Sequence, residues 1–319
     1  MGFATIWVML FHFRANMEIA PIDWLSSVGY GGVDIFLYLS GFGLYYGYSK
    51  NENRRIFYIR RFMRIYPIYL IIIVVDTFLR QQINIVDILL KSIGIGYFFP
   101  FLKIDYYDWY IPSLYVLYFL FPFIYKYMQK NVLRTVIGLF LMGICLTALL
   151  IIIQKGTVIL TISRLPIFSM GVFAGYMFSK NKGISKNLVI STSIITIVML
   201  IVEIILVEHF DHIFLWRNAI YWLPFILIIP GLCFSLVLCM NKMDNNIVVL
   251  GLRFIGKISL EAYLTHIIIL GICRNFIKSH LLSNSCYVWV SFILFACVVF
   301  VLSYALNRLY SRVRIPLRL

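Results

Sequence analysis

The sequence predicts an all-α polytopic membrane protein of about ten transmembrane helices with both termini cytoplasmic, and three observations carry that prediction. The first is composition: 62% of the 319 residues are hydrophobic and 13% charged, with a mean hydropathy of +0.93. A soluble domain carries roughly 45–50% apolar and about 25% charged residues, so a chain this apolar could not cover its own surface in water. The second is spacing, because apolar runs recur at 2–13, 30–49, 65–79, 111–127, 132–153, 162–179, 188–207, 220–240, 257–273 and 287–307. A span needs about 20 mostly apolar residues. The third is charge: 19 of the 28 Lys and Arg fall in alternate loops, the pattern expected of the cytoplasmic side.

Taken in order, the first and third runs are short for a span. Either their ends extend into polar flanks or the helices stop inside the protein. The segment 93–102, which ends in Phe98-Phe99-Pro100, is too short to cross and reads as an interfacial or re-entrant piece. The net charge of +15 might suggest nucleic acid, but its basic residues sit in short loops and form no soluble basic face. None of the six cysteines forms a C-x-x-C pair, and most lie in apolar runs, so neither a disulfide framework nor a metal site is expected from them. The N-terminus lacks the basic n-region and small-residue cleavage site of a signal peptide. With no repeat, linker or low-complexity tract, residues 1–319 read as a single membrane domain.

An ionisable group within a span costs several kcal/mol, of order 2.5–3.5, unless it is paired or hydrated, so each one is a functional candidate. Five qualify: His12, Asp34, Glu203, Glu261 and His266. His12 ends the first run, roughly 16 Å from Met1 along a helix axis. Neutral imidazole is the least costly titratable group at that depth and suits proton transfer; the alternative is an interfacial histidine at the end of a short helix. Asp34, early in the second run, is expected at a depth that could meet and orient His12, or else to be a first-turn acid favoured by the helix dipole. Glu203, beside its loop, is expected near the outer surface. Glu261 and His266 stand five apart, roughly 140° around a helix, so they line different sides unless one pairs with an arginine such as Arg164.

The strongest local signal is Arg60-Arg61-Phe62-Met63-Arg64-Ile65-Tyr66-Pro67. Arg60 and Arg64 would share one helical face, suited to bidentate hydrogen bonds with phosphate. The alternative is an ordinary basic anchor against lipid headgroups. Pro67 is expected to break or begin a helix. His209-Phe210-Asp211-His212 is a loop cluster without a rigid scaffold, and no metal is expected there.

Together these residues resemble the acyltransferase-3 family of bacterial membrane proteins. The resemblance is carried by His12 in the first run, G-G-V-D-I-F-L-Y-L-S-G-F (31–42), R-R-F-M-R-I-Y-P (60–67), W-Y-I-P-S-L-Y-V-L-Y-F-L-F-P (109–122), R-L-P-I-F-S-M-G (164–171) and I-G-K-I-S-L-E-A-Y-L-T-H (255–266). It implies a ten-helix core in a bacterial cytoplasmic membrane, with cytoplasmic acetyl-CoA as acyl donor and no metal. The implied acceptor is a hydroxyl of a surface glycan or its lipid-linked precursor. By position it makes His12 the catalytic histidine and Asp34 a structural or catalytic carboxylate. Arg60, Arg61 and Arg64 become candidates for the donor's phosphates, while Trp109, Arg164, Glu261 and His266 stand at its later landmarks. Two departures are visible. Met1 occupies a position where the family often has a basic residue, and no Glu follows Trp109 where the family commonly has one. The reading from another class is a transporter or flippase of a lipid-linked sugar, which would often show two related halves; no such repeat is present.

Overall fold

The computed structural model describes residues 1–13, 18–81, 84–99, 102, 103, 108–153, 156–180, 186–210, 220–280 and 285–314. In chain order the helices are α1 (Gly2–Phe13), α2 (Ala20–Ser27), α3 (Gly31–Tyr48), α4 (Arg54–Leu79), α5 (Ile85–Ser92), α6 (Ile95–Phe98), α7 (Tyr110–Lys130), α8 (Val132–Ile152), α9 (Gly156–Ile162), α10 (Leu165–Ser179) and α11 (Lys186–His209). After a short 3-10 turn at Ile220–Trp222 come α12 (Phe225–Lys242), α13 (Ile247–Lys257), α14 (Ser259–His280) and α15 (Ser285–Arg314).

Seven segments among the described residues are long and apolar enough to cross a bilayer: Arg54–Leu79, Tyr110–Lys130, Val132–Ile152, Val158–Ser179, Val189–His209, Ile220–Lys242 and Val288–Ser311. Gly2–Phe13 and Ser259–Cys273 are shorter apolar helices, and α3 has 18 residues. Each apolar run read from the sequence falls on one of these helices. The protein is therefore an all-α polytopic membrane protein. Its outer helices leave large apolar side chains uncovered, among them Ile137 and Leu141 on α8, Ile194 and Ile201 on α11, and Ile293 and Val301 on α15. Hydrocarbon solvates such a surface; water would not.

The two short runs are short for different reasons. The third extends into its polar flank, so that α4 continues back through the arginines to Arg54, where the Asn53 side chain accepts a hydrogen bond from the Ile56 N–H (3.1 Å). Pro67 neither breaks nor begins this helix but lies inside it. Proline removes one N–H and crowds the preceding turn, which membrane helices tolerate where neighbours re-satisfy the freed carbonyl. The first run is instead packed inside the protein. Ala4, Trp7, Val8 and Met9 of α1 are buried, the Trp7 indole donates to the Leu25 carbonyl (2.6 Å), and the Ser26 hydroxyl donates to the Leu10 carbonyl (3.1 Å). A 12-residue helix walled in by protein has no need to match the bilayer thickness.

The segment after α5 folds into the bundle. Gly94 turns the chain at φ 80°, where an added Cβ would press on Pro112 at 2.8 Å, and α6 then buries Tyr97. The Tyr97 hydroxyl meets Thr161 Oγ1 at 2.9 Å, and Thr161 meets Ser113 Oγ at 2.5 Å. Irregular backbone at membrane depth is tolerated where protein covers it in this way. Pro100 lies outside the described residues.

α3 and α10 form the closest helix pair. A Cβ on Gly171 would overlap the Tyr38 carbonyl, and one on Gly41 would sit 2.5 Å from the Phe168 carbonyl oxygen. With Gly175 set against Phe42 in the same way, the helices run parallel in the register 38 to 171 and 42 to 175. Small residues permit this approach, which dispersion then rewards. Gly171→Val should force the pair apart at a cost of about 1–3 kcal/mol. Thermal unfolding in detergent checks it, and an unchanged midpoint would refute the close contact.

Candidate functional site

The parallel register of α3 and α10 sets the first polar cluster. It brings the start of α3 beside the break between α9 and α10, where Arg164 sits as the residue before Leu165 and Pro166. Arg164 Nε donates to Asp34 Oδ1 at 3.2 Å, and both side chains are buried. The guanidinium also lies over the rings of Trp222, 3.9 Å from the centroid, and Trp109, 4.8 Å away. Its Nη1 donates to Ser163 Oγ (3.3 Å) and the Leu160 carbonyl (3.4 Å). Aromatic faces and hydrogen bonds replace the water that a buried guanidinium loses.

Two expectations are corrected here. Asp34 bonds to Arg164 and not to His12, because the α3–α10 register turns the aspartate towards α10. Arg164 is accordingly no partner of Glu261 or His266. Trp109 precedes α7, whose Ile111 N–H donates to Asp108 Oδ1 (2.8 Å); the tryptophan thereby faces the arginine. Trp222 has no counterpart among the sequence candidates, since an aromatic residue in an apolar run carries no signal of its own.

A second cluster joins α4, α14 and α15. Arg64 Nη1 lies 3.6 Å from Glu261 Oε1, which also accepts from Asn307 Nδ2 at 2.8 Å. Glu261 is fully buried, whereas the Arg64 side chain is a third exposed (33%), so one arginine of the basic row reaches into the bundle. Arg61 is half-buried, with its guanidinium 5.4 Å from the Tyr118 ring centroid and 5.6 Å from that of Phe57. Arg60 is exposed. The three arginines therefore occupy different environments. Asn307 was not singled out by the sequence, because a lone amide near a helix end is commonplace.

The third cluster contains the histidines. His12, half-buried at the end of α1, has its ring centroid 5.1 Å from that of His266. His266 is 1% exposed. Its Nδ1 faces the Tyr263 carbonyl at 2.5 Å, and its Nε2 is buried with no hydrogen-bond partner. A nitrogen facing a carbonyl must carry the proton, so Nδ1 is the donor and Nε2 holds the lone pair. The Tyr263 ring packs on His266 (5.6 Å), Tyr110 (4.9 Å) and Phe36 (6.0 Å). Thr265, between Glu261 and His266, meets Ser303 Oγ at 3.0 Å and so fixes α14 against α15.

Glu203 was expected near the outer surface, beside its loop. It is fully buried and accepts a hydrogen bond from the Tyr30 hydroxyl. Tyr30 in turn packs on Phe11, Tyr221 and Phe225. Position in the chain suggested a loop neighbour; packing of α11 over α2 carries the carboxyl inside. Asp211 and His212 lie outside the described residues. Among the described residues no three His, Cys, Asp or Glu side chains converge as a metal site.

These clusters sit in a multi-pass helical membrane protein in which His12 and His266 pair, while Glu261, on the same helix as His266, pairs with an arginine of the basic row. In the comparison with known families, a family model described as an acyltransferase domain, that of the acyltransferase-3 family, matches residues 2–308. The chain belongs to that family and is thereby a membrane acyltransferase. Neither the curated proteins nor the solved structures compared with it gave a match.

The Asp34–Arg164 pair predicts a stability signature. Asp34→Ala leaves an uncompensated guanidinium and should cost about 3–5 kcal/mol, while Asp34→Leu combined with Arg164→Met should recover most of it. Unfolding midpoints of the single and double variants in detergent check this. Equal losses in the two would show that the pair is not the coupled unit described.

Proposed function

We propose that the chain is an O-acetyltransferase of a bacterial cytoplasmic membrane. It moves an acetyl group from cytoplasmic acetyl-CoA to a hydroxyl of a cell-surface glycan or its lipid-linked precursor, with residues 1–319 acting as one domain. One observation carries the reading: α14 touches both ends of the chemistry, Glu261 bonding Arg64 and His266 meeting His12. Along a helix those two positions are about 7.5 Å apart. A donor whose phosphates lie on the arginines and whose arm extends along α14 would bring its thioester towards the imidazole.

In this scheme Arg60, Arg61 and Arg64 hold the donor phosphates. The guanidinium fork suits phosphate oxygens, and the stacked Arg61 is already oriented by Phe57 and Tyr118. His12 removes the proton of the acceptor hydroxyl as its oxygen attacks the thioester carbonyl. The C–S bond then breaks, and the proton passes from His12 to the leaving CoA sulfur. The imidazole ends as it began. Asp34 and Arg164 support the fold beside this site through their buried pair.

The test is CoA thiol release from acetyl-CoA by purified protein in detergent, with water as the surrogate acceptor. His12→Ala should lower kcat by about 10²–10⁴-fold, the range of general acid–base contributions. Arg61→Ala should raise the KM for acetyl-CoA about tenfold, or about 1.4 kcal/mol, with kcat retained. Full activity of His12→Ala would remove the histidine from the chemistry. If the wild type released no CoA and retained no labelled acetyl-CoA, the acetyl-CoA reading would be replaced by that of a carrier without covalent chemistry.

A further inference from the structure

His266 is a buried imidazole with one nitrogen committed and the other open. Nδ1–H donates back to the Tyr263 carbonyl at 2.5 Å, within its own helix. That bond fixes the ring and leaves a bare lone pair on Nε2. A buried acceptor without a donor costs about 1–3 kcal/mol, and the described structure gives Nε2 no donor. The neighbouring ring is that of His12, at a centroid separation of 5.1 Å. An N–H···N bond of about 2.9 Å between two imidazoles needs centroids about 5 Å apart, so a small rotation of the half-buried His12 ring closes it.

We propose that His266 is the positioning residue for His12: its Nε2 accepts the ring N–H of His12, which turns the other His12 nitrogen, with its lone pair, towards the acyl acceptor. The inference rests on the acyltransferase chemistry proposed above and assigns a role within it. His266 touches neither acceptor nor donor. It selects the tautomer of His12 in the way that a hydrogen bond on one imidazole nitrogen determines the state of the other. It also stabilises the His12 imidazolium formed when the acceptor proton is taken. A carboxylate could do this more strongly, but Asp34 is bonded to Arg164 and Glu261 to Arg64 and Asn307. A neutral acceptor suits the site better, since it leaves no unpaired charge in the bundle when His12 is neutral.

The Tyr263 ring packs on His266 from its own helix, and is itself packed by Phe36 of α3 and Tyr110 of α7. The Thr265–Ser303 bond holds the helix itself. His266 therefore has little freedom to turn away from His12.

The experiment compares wild type, His266→Phe and His266→Gln for CoA release from acetyl-CoA in detergent, each with its unfolding midpoint. Phe keeps the ring volume and removes the acceptor; Gln can present Oε1 near the place of Nε2. Positioning predicts that Phe lowers kcat about ten- to a hundredfold with the KM for acetyl-CoA within about twofold. Gln should recover a substantial part of that loss. In a His12→Ala background, His266→Phe should cost nothing further, because the residue acts only through His12. A role in packing alone predicts the reverse order, with Phe tolerated better than Gln in both midpoint and kcat. That result, or a Phe variant with wild-type kcat, overturns the proposal. If His266→Phe does not fold, the Gln variant and its additivity with His12→Ala decide the matter, and full additivity counts against positioning. Absence of CoA release by the wild type would instead strike at the acyltransferase reading on which the inference depends, so the two failures are distinguishable.

Discussion

Pairing of charge away from water is the constraint on which the rest of this structure depends. A guanidinium or carboxylate left alone in a bundle surrounded by hydrocarbon is costly, and the expense is avoided only if helices distant in sequence meet in register. Asp34 and Arg164 meet across α3 and the start of α10, and Arg64 and Glu261 meet across α4 and α14. Tyr30 donates to Glu203 across the α2–α3 corner and α11. Each contact names a helix pair that must assemble for any of them to be satisfied. The glycine contacts of α3 on α10 are the steric counterpart, because only that close approach brings residue 34 beside residue 164.

The histidines stand apart from this scheme because they can be neutral. Neutral imidazole needs hydrogen bonds and no counter-charge, so the bundle can keep His12 and His266 together without a third ionised group. The stable ion pairs thus surround a pair of groups able to exchange a proton. α14 connects the two kinds of site: Glu261 anchors it to the basic row on α4, and His266 faces α1. A substrate that engaged the arginines would act on the same helix that carries His266.

Much of the architecture was legible because the bilayer simplifies the code. Apolar length marked the helices on which the ten runs fall, and the resemblance over residues 31–42, 60–67 and 255–266 pointed to the family that the match to residues 2–308 shows. Side-chain partners were not legible in the same way. Asp34, expected either to orient His12 or to be a first-turn acid, sits in the first turn of α3 and bonds to Arg164. Glu203 was expected near the outer surface, and its partner, the Tyr30 hydroxyl, was not foreseen. Pro67 was expected to break or begin a helix, and α4 runs through it.

Hydropathy and charge distribution act residue by residue along the chain, so the sequence by itself determined the class, the helical runs, and the ionisable residues that must be accounted for. Which of those residues face one another depends on helix rotation and register, and these are set by contacts between segments more than a hundred residues apart. Only the tertiary structure could decide that Arg64 answers Glu261, that Arg164 answers Asp34 between two tryptophans, and that His12 meets His266. A rotation of one residue position, about 100° around a helix, would have exchanged every one of those partners.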